Sequence, residues 1–216
     1  MLKKQKGYFG NIRCEFIECV RDGDNKILEI GCGQGNTGKV LKEQGKAAVV
    51  VGIEKVPEMA EAAKAKIDKV LTGDVEIIEL PFQEGYFDYT IMGDVLEHLY
   101  DPWALVNKVG RYVKKGGYII ASIPNVRHWQ IVKELVLKGE WRYCSEGVLD
   151  ETHLRFFTKK SMVRLFEAGP FVVSRIIPAG NLKSGPKGKQ GLINKLTFGV
   201  FEDFFTVQYI VEARKL

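Results

Sequence analysis

The residues best suited to chemistry begin with the run Gly31-Cys32-Gly33-Gln34-Gly35-Asn36-Thr37-Gly38, set directly behind a short apolar stretch at 26–30. Glycines in such a run permit a tight turn and let a ligand approach the backbone. A helix starting behind them offers unsatisfied N–H groups. Gly33, Gly35 and Gly38 also fit the G-x-G-x-x-G spacing of dinucleotide sites. Four acids are spaced around this turn. Glu54 ends a second apolar stretch at 47–53, where a carboxylate can accept hydrogen bonds from both hydroxyls of an adenosine ribose. The alternative for Glu54 is a solvated glutamate at a strand end. Ribose binding alone leaves a nicotinamide dinucleotide and S-adenosylmethionine both open.

The other three acids separate those ligands. Glu29 precedes the turn within the first strand and suits an ammonium group better than a pyrophosphate. Asp74, behind Gly73, offers an acceptor for an adenine amino group, or else is an ordinary turn aspartate. Asp94, at the end of a fourth strand, points into the same crevice. Four carboxylates around one pocket repel pyrophosphate and attract a sulfonium with an amino-acid tail. The expected cofactor is therefore S-adenosyl-L-methionine. An NAD-dependent oxidoreductase or epimerase is the alternative; it lacks a Tyr-x-x-x-Lys pair in a suitable position.

The chain has three histidines, His98, His128 and His153. His128 and His153 are the expected general bases for an oxygen acceptor, with His98 packing or orienting. Asn125, Trp141, Tyr143, Asp150 and Arg155 complete the expected substrate-binding set. Trp141 and Tyr143 would stack on a sugar or nucleotide sugar. Asp150 would orient His153 or bind acceptor hydroxyls. Arg155 would hold an acidic group, a phosphate or Asp150 itself. The competing reading lets this region pack on itself around Trp141 and Phe156. Cys14, Cys19, Cys32 and Cys144 form no C-x-x-C pair and match no zinc or iron–sulfur spacing. A metal held by His98, His128 and His153 is the lesser alternative to their roles as bases and packing groups, and no metal is assigned.

These residues carry a family resemblance. Leu28-Glu29-Ile30-Gly31-Cys32-Gly33-Gln34-Gly35, Gly52-Ile53-Glu54, Gly73-Asp74, Leu80-Pro81-Phe82, Phe87-Asp88-Tyr89, Gly93-Asp94-Val95-Leu96-Glu97-His98-Leu99 and Lys115-Gly116-Gly117 resemble a class I S-adenosylmethionine-dependent methyltransferase. Ser122-Ile123-Pro124-Asn125-Val126-Arg127-His128, Trp141-Arg142-Tyr143, Gly147-Val148-Leu149-Asp150 and Thr152-His153-Leu154-Arg155-Phe156-Phe157-Thr158 resemble a bacterial subgroup associated with glycan and cell-envelope synthesis. The resemblance implies that Gly31, Gly33 and Gly35 line the methionine part of the cofactor. It implies Glu54 at the ribose, Asp74 at the adenine and Asp94 near the methyl group. The acceptor would be a small molecule, a sugar or a lipid-linked glycan, methylated at oxygen. The implied fold is α/β: a Rossmann-like three-layer sandwich with a seven-stranded, mostly parallel sheet whose last strand is antiparallel.

The elements that must position these groups follow from periodicity and punctuation. A helix is expected over 8–21, capping the front of the fold. Strands at 26–30, 47–53, 70–72, 86–92 and 118–123 alternate with helices, which argues a parallel sheet. Pro57 opens a helix to about Asp68. The run 75–80 suits a strand, short helix or connection equally. Asp101 and Pro102 are N-cap and first residue of a helix expected to reach Lys114-Lys115 and stop at Gly116-Gly117. A substrate-side insertion spans 125–157, with a helix at 126–138. Thr158 or Ser161 caps a helix to Ala168. Strands follow at 171–177 and 204–213, separated by a mobile loop at 181–191 that carries Lys183, Lys187 and Lys189. Phe156-Phe157 and Phe204-Phe205 are expected in the core.

Composition supports one α/β domain over 1–216. Of 216 residues, 45% are hydrophobic and 27% charged, which excludes a disordered polymer. Such a length buries on the order of 70% of the extended chain's surface. The net charge of +5 marks no nucleic-acid protein. No aromatic–basic interleaving suggests an RNA surface. Met1 to Gly7 is basic without an apolar segment behind it, and no window reaches the roughly 18 apolar residues of a membrane span. A cytoplasmic location is expected. The sequence leaves the oligomeric state undefined.

Overall fold

The computed structural model describes residues 12–179 and 202–216. The expected loop at 181–191 lies outside those residues, as does the start of the 8–21 helix. The described elements are α1 (Cys14–Cys19), β1 (Lys26–Ile30), α2 (Asn36–Glu43), β2 (Val49–Glu54), α3 (Pro57–Lys64) and β3 (Lys69–Thr72). Next come β4 (Phe87–Gly93), a 3-10 turn (Leu96–His98), α4 (Pro102–Gly110), β5 (Val113–Pro124) and α5 (Trp129–Lys138). The chain ends with α6 (Lys159–Glu167), β6 (Phe171–Ala179), α7 (Glu202–Phe205) and β7 (Gln208–Lys215).

The seven strands form one sheet in the order β3-β2-β1-β4-β5-β7-β6. Pairing is parallel from β3 through β5, and β7 runs antiparallel to both β5 and β6. This is the expected Rossmann-like architecture. Side chains alternate across the strands, so both faces carry core. Leu28, Ile30, Met92 and Ile119 pack on one face. Ile27, Ile91 and Ile120 pack on the other, with Phe16 from α1 and Leu41 from α2. The chain winds outward from β1 to β3, then returns to place β4 beside β1. A crevice therefore opens at the carboxyl ends of β1 and β4, where open α/β sheets bind ligands.

Local signals set most boundaries. Asp101 caps α4, accepting from Ala104 N–H at 2.9 Å, with Pro102 next. Thr158 and Ser161 form a reciprocal capping box at α6. The far end of α4 differs from expectation. It stops at Gly110, and Lys114 and Lys115 lie in β5 rather than at a helix terminus. Val113 is fully buried and pairs with Phe87, so the sheet claims the chain early. Gly117 serves close passage: a Cβ there would meet the Asp88 carbonyl oxygen at 2.7 Å.

Other ends move by a few residues. Within the described residues α1 covers only Cys14–Cys19, and α3 ends at Lys64. The 75–80 run forms a turn, with Ile77 and Ile78 N–H donating to the Asp74 carbonyl. α5 starts at Trp129, after Val126 N–H donates to the Phe157 carbonyl at 2.9 Å. That bond and the Asn125–Phe157 bridge bring both ends of the 125–157 excursion together. Phe204-Phe205 belongs to α7, not to a strand, and is half-buried. Asn125 holds this turn by donating to the Asp203 and Thr206 carbonyls at 2.6 and 2.8 Å. Among the described residues no helix is long and apolar enough to cross a membrane.

Candidate functional site

The glycine turn occupies the end of β1. Gly31, Gly33 and Gly35 take φ of 70°, 53° and 73°, a region where side chains are strained. Gly31 has a second reason: a Cβ there would stand 2.9 Å from Val95 Cγ2. The loop after β4 thus lies directly over the turn. Glu54, 6% exposed, binds the turn to the start of α3. Its Oε2 accepts from Gly33 N–H at 2.8 Å and its Oε1 from Val56 N–H at 2.9 Å. A carboxylate has about four acceptor sites, so capacity for ribose hydroxyls is left over.

Glu29 points to the α1–α2 side of the sheet, as its alternation with Leu28 and Ile30 requires. Its Oε2 is buried with no hydrogen-bond partner among the described residues. Burial pushes its carboxyl up to about 8, against smaller opposing effects of the Gly38 N–H and Arg13. Asp74 accepts from Lys55 Nζ at 2.8 Å and from Glu76 N–H at 3.0 Å. The Lys55 hydrogen bond holds its carboxyl below the usual range.

Asp94 has a φ of 53°, the single positive value at a non-glycine among the described residues. Its carboxylate accepts from the Arg13 guanidinium, the Gln208 amide and, at 2.7 Å, Ser122 Oγ. Arg13 lies just before α1, whose Phe16 covers Gly93 so closely that a Cβ there would stand 2.8 Å from the ring. α1 therefore sits over the crevice.

These contacts correct the electrostatic expectation. The four acids do not act as four unscreened charges. Asp74 has Lys55, Asp94 has Arg13, Glu54 has two backbone donors, and Glu29 favours its neutral form. Arg13 was missed because its partner is 81 positions away and no local pattern joins them.

The acceptor-side residues divide into groups. His98 and His153 come together, ring centroids 4.6 Å apart and edge to face. Glu97, 1% exposed, lies with them, one carboxylate oxygen 3.9 Å from His153 Nε2. The Glu97 carbonyl accepts from Leu154 and Arg155 N–H at 2.8 and 3.0 Å, which holds the 153–155 segment against the 3-10 turn. His98 Nδ1 stands 3.1 Å from both the carbonyl and Oγ1 of Thr152. Thr152 Oγ1 donates to Asp150 at 2.6 Å. His153 Nδ1 stands 3.0 Å from the Val148 carbonyl. Asp150 thus acts on His98 through Thr152, while a backbone carbonyl orients His153. Glu97 was legible as the neighbour of His98; Thr152 carried no signal beyond lying beside His153.

His128 is outside this cluster. It precedes α5 with 5% exposure, its ring tilted against Trp129, and burial lowers its imidazole's affinity for a proton. Asn125 is fully buried with its amide occupied by backbone. Trp141 and Tyr143 pack on Phe156 at 5.1 and 6.3 Å between centroids, and Phe156 reaches His153 at 6.4 Å. Trp141 is 36% and Tyr143 53% exposed, so this group is a surface shelf rather than a small core. Arg155 donates to the Tyr100 carbonyl and lies over the Trp103 ring at 5.9 Å.

Comparison with known proteins agrees with the fold. A family model described as "Methyltransferase domain" matches residues 11–173. The chain is 30% identical to a protein-L-isoaspartate O-methyltransferase of Methanocella arvoryzae over 132 residues, 51% of this chain and 69% of that one. It is 28% identical to a ubiquinone biosynthesis O-methyltransferase of Idiomarina loihiensis over 166 residues, 73% of this chain and 66% of that one. Among solved structures, a SAM dependent methyltransferase from Archaeoglobus fulgidus superposes with a TM-score of 0.66 at 20% identity, covering 94% of this chain and 91% of the other.

Proposed function

From the premise that the chain belongs to the methyltransferase domain family and is an S-adenosylmethionine-dependent methyltransferase, we propose that it methylates an oxygen of a small, hydroxyl-bearing acceptor. The cofactor would lie in the β1–β4 crevice. Gly31, Gly33 and Gly35 would give its methionine end access to backbone, Glu54 would accept from its ribose, and Asp74 would face its adenine. Glu29 and Asp94 would flank the methionine end from beneath α2 and from β4. The acceptor would rest on the shelf of Trp141, Tyr143 and Phe156, its hydroxyl toward His98 and His153.

The observation that carries this reading is the junction of an exposed aromatic shelf with an oriented imidazole pair, just beyond the end of β4. Methyl transfer is an in-line displacement, so holding acceptor and sulfonium at the right distance and angle supplies most of the acceleration. A nearby imidazole assists by taking the hydroxyl proton. His153 keeps the base role in this proposal, and His128 is reassigned to the entry of α5. Asn125 leaves the acceptor set because its amide holds α7. Two relatives named as O-methyltransferases support transfer to oxygen. The glycan or cell-envelope setting rests on the sequence motifs alone. The dinucleotide alternative finds no support.

The test is transfer of a labelled methyl group to hydroquinones, catechols, nucleotide sugars and lipid-linked glycans, with the product's methyl position assigned by NMR. Methyl ethers are expected. A product methylated at nitrogen or carbon overturns the oxygen assignment.

A further inference from the structure

We propose that Glu97, His98 and His153 form a binding site for a divalent transition-metal ion, with a coordination position open to the acceptor. This revises the expectation of no metal. One potential ligand atom from each residue lies within 4.8 Å of the others, a group that spans two segments far apart in the chain. The backbone bonds from Leu154 and Arg155 to the Glu97 carbonyl fix that meeting, so the donors are held before any ion arrives.

The tautomers point the same way. A carbonyl only accepts, so His153 Nδ1, facing the Val148 carbonyl, carries the proton. Thr152 Oγ1 directs its hydrogen to Asp150, and the Thr152 carbonyl also only accepts, so His98 Nδ1 carries its proton too. In the neutral rings, the form that binds a metal, Nε2 is then the lone-pair nitrogen. His153 Nε2, a nitrogen of His98 and a carboxylate oxygen of Glu97 thus meet where Glu97 is 1% and His153 8% exposed.

Metal-ligating histidines characteristically donate their other N–H to a carbonyl or a carboxylate-linked group. Both do so here. Two nitrogens and one oxygen suit zinc, cobalt, manganese or ferrous iron rather than calcium, which prefers oxygen alone. Three protein ligands leave a place for an exogenous oxygen. An acceptor hydroxyl in that place would ionise more readily and lose its proton to solvent, so with an ion bound the metal takes over the role given above to His153, whose lone pair is then a ligand. That last step rests on the proposed acceptor position; metal uptake itself is measured without acceptor, so the two fail separately.

The experiment uses the full chain, stripped with a chelator and titrated with Co²⁺, then Zn²⁺. S-adenosylhomocysteine binding, followed alongside, reports folding. One Co²⁺ per chain is expected, with visible bands of a low-coordinate ion that Zn²⁺ displaces. Glu97→Gln and His153→Ala should each weaken uptake at least roughly tenfold, and Thr152→Val roughly 10–100-fold. His128→Ala should bind metal like the parent. Absence of saturable Co²⁺ or Zn²⁺ uptake by parent protein that binds S-adenosylhomocysteine overturns the site. So does parent-like uptake by Glu97→Gln and His153→Ala. If either of those fails to fold, the parent titration and Thr152→Val decide.

Discussion

Replacing Glu29 by glutamine should remove a pH-dependent loss of stability from the protein without cofactor. Glu29 is 6% exposed and its Oε2 has no hydrogen-bond partner among the described residues. Burial raises its carboxyl from the ordinary 4.5 to about 8. Between those values the unfolded chain has released the proton and the folded chain still holds it, so folding takes up a proton. Stability is then fully present below the ordinary value, falls as pH rises through the window, and levels off above about 8. Each pH unit is worth about 1.4 kcal/mol, and about 3.5 units set a ceiling of about 5 kcal/mol. Relaxation around the ionised group trims this, and about 2–4 kcal/mol is expected. Glutamine has the same shape and does not ionise. Its amide adds an offset without a slope, so the difference between the two pH profiles isolates the carboxyl. Urea unfolding followed by circular dichroism across roughly pH 5 to 9 measures both. Parallel profiles for parent and Glu29→Gln would refute the claim that burial keeps this acid neutral.

Glu54→Ala removes the acceptor of two backbone donors and, in the proposed site, of the ribose; at about 1.5–3 kcal/mol per charged hydrogen bond, affinity for S-adenosylhomocysteine should fall by about a hundredfold or more. A folded variant that binds within about threefold of the parent by calorimetry would count against the Glu54 assignment. Gly31→Ala should destabilise by about 1–2 kcal/mol from the left-handed backbone plus a clash with Val95. Adding Val95→Ala should relieve the clash but not the backbone strain, and denaturant curves that show no relief would remove Val95 from the argument. Arg13→Met should lower stability by about 1–2 kcal/mol and speed amide exchange across Cys14–Cys19 more than in β1 or β4. Uniform exchange would mean that the Arg13–Asp94 pair does not hold α1 over the crevice.

The parts of the fold legible in the sequence are those with local causes. Asp101-Pro102 marks the start of α4 to the residue because capping involves neighbours. The glycine turn and Glu54 were legible for the same reason: strand, turn and acid follow one another. The end of α4 was misread because Gly116-Gly117 resembles a helix stop. What ends the helix is the pairing of Val113 with Phe87, a contact between strands. The start of β7 was misplaced because Phe204-Phe205 alternates like a strand, while Asn125 holds that stretch in a turn from far away. At the site, all three histidines were visible but not which two would meet. His98 joins His153 through backbone bonds to the Glu97 carbonyl, and a backbone bond leaves no mark in residue type.

The place of β7 has a consequence for how the protein is made. β7 follows the other six described strands yet lies between β5 and β6, paired with both. A nascent chain emerging from the ribosome can assemble β1 through β5 with their helices. β6 must wait, without a neighbour, until β7 is synthesised. Gln208, the first residue of β7, is also a partner of Asp94. The carboxylate at the end of β4 therefore receives its last hydrogen bond only when β7 inserts. Closure of the sheet and completion of the crevice are one event that follows synthesis of β1 through β6, and pairings so distant in sequence form slowly.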